Sequence, residues 1–303
     1  PNTKINLGIS REGVVGLKYF SVKREIIKVK PVKYELIDDN YIFIRLTQFQ
    51  KRSASSIVDA LKKLKKKAKK SGGAKGIVLD LRSNPGGLLE EAVSVSSIFL
   101  SEGVVVSTEG RNEQNKEIKY VKKTGYKELK LPMVVLINGS SASASEIVAG
   151  ALKDHHRAII MGTRSFGKGS VQTVAKVDDK NGVKLTMAQY MTPTGKKIQA
   201  LGIIPDVELE QLDSDWFEEH KEEAVYLREE DLRNHLTATV ETEEEKKQRV
   251  KKEKERRVER MNKTKKAKQK KTKEEKIYVK YKPSADYQVI QSVKHLKSLE
   301  SFI

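Results

Sequence analysis

Apolar and polar positions along the chain follow two periods, and the places where one gives way to the other outline its elements. Gly76-Ile-Val-Leu-Asp-Leu81, Met133 to Ile137 and Ala158 to Met161 are near-continuous apolar runs, as strands covered on both faces would be. Tyr41 to Thr47 alternates. So do Thr3 to Ser10 and Lys18 to Val29 around Arg11-Glu12-Gly13, and Ser170 to Val177 and Val183 to Thr192 around Asp178-Asp-Lys-Asn-Gly182, a strong hairpin signal. Helical spacing takes over at Ile57, Leu61, Leu64 and Ala68, which follow cap residues at Ser53 to Ser56 and stop at Gly72-Gly73. It returns at Leu88 to Leu100, from the serines after Gly139 to Leu152, and at Ala285 to Leu299. Two strand–loop–helix units therefore repeat, Gly76 to Leu100 and Met133 to Leu152, and each delivers free N–H groups at a helix start.

Composition narrows what these elements can serve. With 303 residues and 37% hydrophobic content the chain can hold one large domain or two ordinary ones. No run approaches eighteen apolar residues, so nothing reads as a membrane span. The absence of cysteine excludes disulfides and thiolate metal sites. Pro1 stands where an initiator methionine would and no signal-peptide pattern follows, so the chain reads as a processed piece. A net charge of +19 invites nucleic acid as a partner, but the charge is not uniform. Residues 208–245 hold 15 acidic and 3 basic side chains, residues 246–276 hold 17 basic and 5 acidic, and these blocks cancel. Much of the surplus sits at Lys62 to Lys70, where the apolar spacing makes the lysines the wet faces of an amphipathic helix. No aromatic residues interleave to stack bases, so nucleic acid is not expected.

The chemistry concentrates in Asn138-Gly-Ser-Ser-Ala-Ser-Ala-Ser-Glu-Ile147, where a serine cluster opens a helix carrying Glu146 in its first turn, and in Gly162-Thr-Arg-Ser-Phe-Gly-Lys-Gly-Ser-Val-Gln172. The positive end of the helix suits an oxygen that becomes negative during a reaction. Together these residues closely resemble the C-terminal processing proteases, the tail-specific serine proteases of S41 type. Ser143 matches that family's nucleophile, Lys168, twenty-five residues on, its general base, and Gln172 the residue that orients the lysine. The resemblance extends to Leu79-Asp-Leu-Arg-Ser-Asn-Pro-Gly-Gly87, whose Gly87 N–H, with that of Ala144, corresponds to the family's oxyanion hole.

The residues can also be weighed on their own chemistry. A serine hydroxyl is a poor nucleophile until a base takes its proton. His155 and His156 lie some twelve residues beyond Ser143, roughly 18 Å along an unbroken helix. His220, His235 and His295 fall in charged or C-terminal segments, as surface histidines do. A lysine can replace histidine where desolvation brings its pKa from about 10.4 towards about 7, a differential cost of roughly 5 kcal/mol; Phe166 and the flanking glycines offer a dry setting. Taken alone, a Ser/Ala/Gly cluster at a helix start is ordinarily an N-cap, and Pro85-Gly-Gly87 ordinarily a turn. Gly162-x-x-x-x-Gly167-Lys168 copies most of a phosphate-binding loop. It departs at Gly169, where Ser or Thr should hold magnesium, and at Ser170 to Val177, which alternates as a strand where a helix is required.

The resemblance implies an α/β fold: residues 1–30 as the C-terminal part of a PDZ-like module, 31–210 as a mixed sheet-and-helix protease core with crotonase-like strand–helix units, and 211–303 as a charged helical extension with a closing amphipathic helix. It implies a serine endopeptidase acting on protein or peptide substrates near or within their C-terminal regions, outside the cytoplasm in the periplasm or cell envelope, with no cofactor and no metal. It leaves room for an adaptor protein and for a homo-oligomer. The rival from another class is a non-catalytic scaffold that holds partners through the PDZ part and the charged tail.

Overall fold

In chain order the structure, a computed structural model, contains β1 (Lys4–Ile9), β2 (Lys18–Lys23), β3 (Val32–Ile37), β4 (Tyr41–Leu46), α1 (Ser53–Ala68), β5 (Gly76–Asp80), α2 (Leu89–Phe99), β6 (Val104–Gly110), β7 (Glu117–Tyr120), β8 (Met133–Ile137), α3 (Ala144–Asp154), β9 (Ile159–Gly162), β10 (Ser170–Lys176), β11 (Gly182–Met191), β12 (Val207–Glu208) and α4 (Tyr287–Glu300). It describes residues 1–11, 13–26, 30–110, 116–179, 181–210, 228–232 and 281–300. Apart from Arg228–Leu232, the acidic and basic blocks beyond residue 210 lie outside the described residues. Residues 1–30 form one unit, an antiparallel β1–β2 hairpin, and the remainder forms a second.

The apolar runs build the centre of the second unit. Six strands form a sheet in the order β12-β9-β8-β5-β4-β3, parallel except for the β3–β4 pair. Its inner strands are apolar at nearly every position because both faces are covered. Ile77, Leu79, Val135 and Ile137 pack beneath α1, α2 and α3 with Ile57, Leu61, Phe99 and Val148. Val78, Val134 and Leu136 point the other way, onto Val289, Val293 and Leu296 of α4. Lys62, Lys63, Lys66 and Lys67 lie exposed on α1 while Ile57, Leu61 and Leu64 are buried, so that lysine run is a solvated helix face. No described helix is long and apolar enough to cross a membrane.

A second, antiparallel sheet has the order β10-β11-β6-β7. Its β6 and β7 are strands that the periodicity did not single out. Because Ser170–Lys176 is a strand, Lys168 precedes β10 rather than opening a helix, and a phosphate-binding loop is excluded.

The closing helix is tied to the loop after β5 by ions as well as by packing. Arg82, 3% exposed, reaches both carboxylate oxygens of Asp80 at 2.8 and 2.9 Å, Asp286 at 3.0 Å and Gln288 at 2.7 Å. Burial works against its charge, but Asp80 and Asp286 more than offset this and hold the guanidinium protonated more firmly than usual. Removing one carboxylate from such a cluster leaves part of a buried charge unmet. Asp286→Ala is therefore expected to lower stability by about 1–3 kcal/mol, read as a lower urea midpoint; an unchanged midpoint would mean that α4 docks through its apolar face alone.

Candidate active site

The two strand–loop–helix units meet edge to edge, and their loops are stitched together by hydrogen bonds. Ser83 N–H donates to Asn138 Oδ1 at 2.9 Å, and Ala142 N–H to Asn84 O at 3.0 Å. Two serines of the cluster are used in this seam. Ser141 Oγ donates to Leu81 O and Ser145 Oγ to Asn84 O, both at 2.9 Å, and both residues are fully buried. Ser140 is exposed. Ser143 differs from all of them: it is half-buried, it is the N-cap of α3, and its backbone sits at φ 55°, ψ −114°. L-residues rarely adopt that conformation, and where the surrounding structure imposes it the strain commonly marks a functional turn.

Beside Ser143 lies the Pro85-Gly86-Gly87 turn. A Cβ on Gly86 would stand 2.9 Å from both Ser143 Cβ and Ala144 N, and one on Gly87 would collide with Phe49 O, so neither position admits a side chain. Phe49 fixes the turn from behind, donating to Gly86 O and accepting from Leu88 N–H, each at 2.9 Å. Gly86 N–H is taken up by Asn84 Oδ1. Among the described residues neither Gly87 N–H nor Ala144 N–H has an acceptor, which leaves two donors at the edge of the same turn.

Glu146 connects this corner to the Lys168 loop, a role the sequence reading missed although Ser143-x-x-Glu146 is the spacing of a capping box. The carboxylate is fully buried. Its Oε2 accepts from Ser143 N–H at 2.7 Å and Lys168 N–H at 2.9 Å, and its Oε1 from Ser165 Oγ and Gly167 N–H, both at 2.6 Å. One side chain thus fixes the backbones of both residues. Burial pushes the Glu146 carboxyl up from 4.5 to about 7 against the pull of those four donors. The folded chain then keeps a proton that the unfolded chain releases near 4.5, so stability falls as the pH rises from about 4.5 through about 7, by about 3 kcal/mol in all. Wild-type urea midpoints are expected to drop more between pH 5 and pH 8 than those of Glu146→Gln, which has nothing to ionise. Parallel curves would mean a carboxylate ionised throughout.

Lys168 and Gln172 are less fully assembled. Among the described residues no hydrogen bond joins Lys168 Nζ to Ser143 Oγ; such contacts often tighten only when substrate binds. Gln172 is exposed and its Nε2 donates to Thr186 Oγ1 at 3.3 Å rather than to Lys168. Lys168 lies before β10, so strand alternation does not carry from it to Gln172, which pairs with Thr186 across a register shift that leaves Met187 of β11 as the extra residue. The described histidines are placed elsewhere. His155 lies just past α3 with Nε2 2.7 Å from Val104 O, and His295 belongs to α4; His220 and His235 lie outside the described residues. A cavity of about 800 Å³ opens at that far end of α3, lined by His155, Arg157 and Tyr120, and it contains none of the candidate residues. Among the described residues no group of three or more His, Asp or Glu side chains could hold a metal ion.

A family model described as peptidase family S41 matches residues 40–209. The chain is 46% identical over 241 residues to a carboxy-terminal-processing protease of Bartonella bacilliformis, covering 80% of this chain and 54% of that protein. It is 39% identical over 208 residues to the carboxy-terminal processing protease CtpA of Bacillus subtilis, covering 69% and 43%. The chain spans about half the length of these curated relatives. Among solved structures, the photosystem II D1 C-terminal processing protease superposes with a TM-score of 0.54 at 30% identity, over 69% of this chain and 56% of that one.

Proposed function

The chain belongs to peptidase family S41, and on that premise we propose that it is a serine endopeptidase in which Ser143 attacks and Lys168 accepts its proton, cutting protein substrates near or within their C-terminal regions. The observation that carries this reading is the corner at Ser143. A strained, half-buried serine stands at a helix start beside two backbone N–H groups that have no acceptor among the described residues, and one buried carboxylate ties it to the Lys168 loop. In the reaction Ser143 Oγ would add to the scissile carbonyl while its proton passes to Lys168 Nζ. The Gly87 and Ala144 N–H groups would take the charge that develops on the carbonyl oxygen, and the lysine would return the proton to the leaving amine. Gln172 would orient the amine once β10 brings it round. Residues 1–30 are read as the end of a PDZ-like module, residues 211–303 as a charged extension, and the location as outside the cytoplasm; these rest on the family resemblance, as do an adaptor and a homo-oligomer.

The rival reading is a non-catalytic scaffold, and one experiment separates the two. A fluorophosphonate probe is expected to label Ser143 in the wild-type chain, with cleavage of an unfolded protein mapped by mass spectrometry towards its C-terminus. Failure to label and to cleave would leave the scaffold. Within the peptidase reading, Gly87→Ala must displace the turn from Phe49 O and is expected to lower kcat by about 10²-fold or more, with a smaller effect on KM. Activity within a few-fold of wild type would remove Gly87 from the oxyanion hole.

A further inference from the structure

Part of the charged extension lies against the loop that carries Lys168. Arg228–Leu232 includes a short 3-10 turn, Glu229–Asp231, and Glu229 N–H donates to Phe166 O at 3.0 Å. The Glu229 side chain reaches the other end of the same loop through one intermediary: Gln199 Nε2 donates to Glu229 Oε1 at 3.2 Å, and Gln199 Oε1 accepts from Gly169 N–H at 3.0 Å. Gln199 is fully buried, and Gly169 packs so closely on its backbone that a Cβ there would meet it. A second clasp joins Arg164 to Glu230 at 3.3 Å, while Arg164 Nη2 also donates to Ala200 O at 2.8 Å.

We infer that Glu229 is a positioning residue for Lys168, acting through Gln199 and the backbone of Phe166 to Gly169; this rests on the reading of Lys168 as the base. Phe166 and Gly169 bracket the lysine in sequence, and Glu229 holds one by its N–H and the other through the amide of Gln199. Glu146 holds the residues between them, Gly167 and Lys168, from the buried side. The loop is therefore gripped from two sides, by the core and by the extension. The amide of Gln199 cannot turn over, because its oxygen faces an N–H donor and its nitrogen faces a carboxylate. This gives the extension a part in the reaction rather than only a solvated charge.

The test reverses the polarity of that bond in the full chain, reading kcat and KM on one peptide and, without substrate, amide hydrogen exchange at Gly169. Glu229→Ala is expected to lower kcat about tenfold with KM within about twofold and to speed exchange at Gly169 about tenfold, with melting of the core unchanged. Gln199→Glu sets two carboxylates against each other and is expected to cost at least as much. The double variant Gln199→Glu with Glu229→Gln keeps an acceptor for Gly169 and restores a donor across the pair, and is expected to recover kcat and exchange to within about threefold of wild type. A double variant no better than Gln199→Glu alone, or Glu229→Ala that alters neither kcat nor exchange, overturns the positioning role. Protection of Gly169 that depends on Glu229 in a wild-type chain that cleaves nothing overturns the peptidase reading, and this role with it.

Discussion

Ser143→Ala is expected to lower kcat/KM by at least about 10⁴-fold while leaving the melting temperature of the core nearly unchanged. The two halves of that expectation have different causes. The attacking oxygen is lost outright, so no group remains to form the covalent intermediate. The Ser143 hydroxyl is not one of those that stitch the two loops together, so its removal leaves the seam intact. Ser141→Ala and Ser145→Ala reverse the pattern: each deletes a buried hydroxyl from its bond to Leu81 O or Asn84 O. Each is expected to cost about 1–3 kcal/mol of stability and to keep most of the activity at temperatures where the fold persists. A dead Ser145→Ala beside an active Ser143→Ala would identify the wrong serine, and denaturation curves measured alongside the rates separate loss of chemistry from loss of fold.

What could be read from the sequence follows from the range of each interaction. Gly76 to Leu81 and Met133 to Ile137 declare themselves because a strand covered on both faces must be apolar throughout, a local property of the chain. The exposed lysines of α1 and the turn at Gly72-Gly73 are legible for the same reason. β6 and β7 are not. Val104–Gly110 carries Ser107, Thr108 and Glu109, and although β7 follows it directly, its other partner, β11, is set by distant pairing. Ser143 and Lys168 could be picked out as residues, but the link between them could not: Glu146 reads as an acidic residue in a first helical turn until the fold brings Gly167 and Lys168 N–H onto it. Gln172 shows the opposite limit. Regular alternation would put it on the side of Lys168 only if one strand ran through both residues, but β10 begins at Ser170 and Gln172 faces Thr186 across the ladder. The contact of Glu229 with Phe166, 63 residues away in the chain, left no local trace at all.

The base is where the mechanism is most exposed to test. A lysine accepts a proton only in its neutral form, so kcat/KM is expected to rise with pH. That slope alone does not assign the group, because Glu146 ionises at about 7 and its four hydrogen bonds are complete only as a carboxylate. Substitution at Lys168 separates the two. Lys168→Arg keeps a cation at the same backbone position, held by the same Lys168 N–H bond to Glu146, but a guanidinium does not give up its proton in this range. It is expected to be as inactive as Lys168→Ala, each down by at least about 10⁴-fold in kcat/KM, whereas a purely electrostatic role would let arginine rescue the rate. Gln172→Ala is expected to fall between these variants and wild type, since glutamine would orient the amine without taking the proton. Glu146→Gln is expected to lower the rate at every pH while keeping the part of the slope that belongs to the lysine. The decisive measurement is kcat/KM for the four variants on one peptide between pH 6 and pH 10; near-wild-type turnover by Lys168→Arg would eliminate the Ser-Lys mechanism, because a guanidinium cannot take the Ser143 proton in that range.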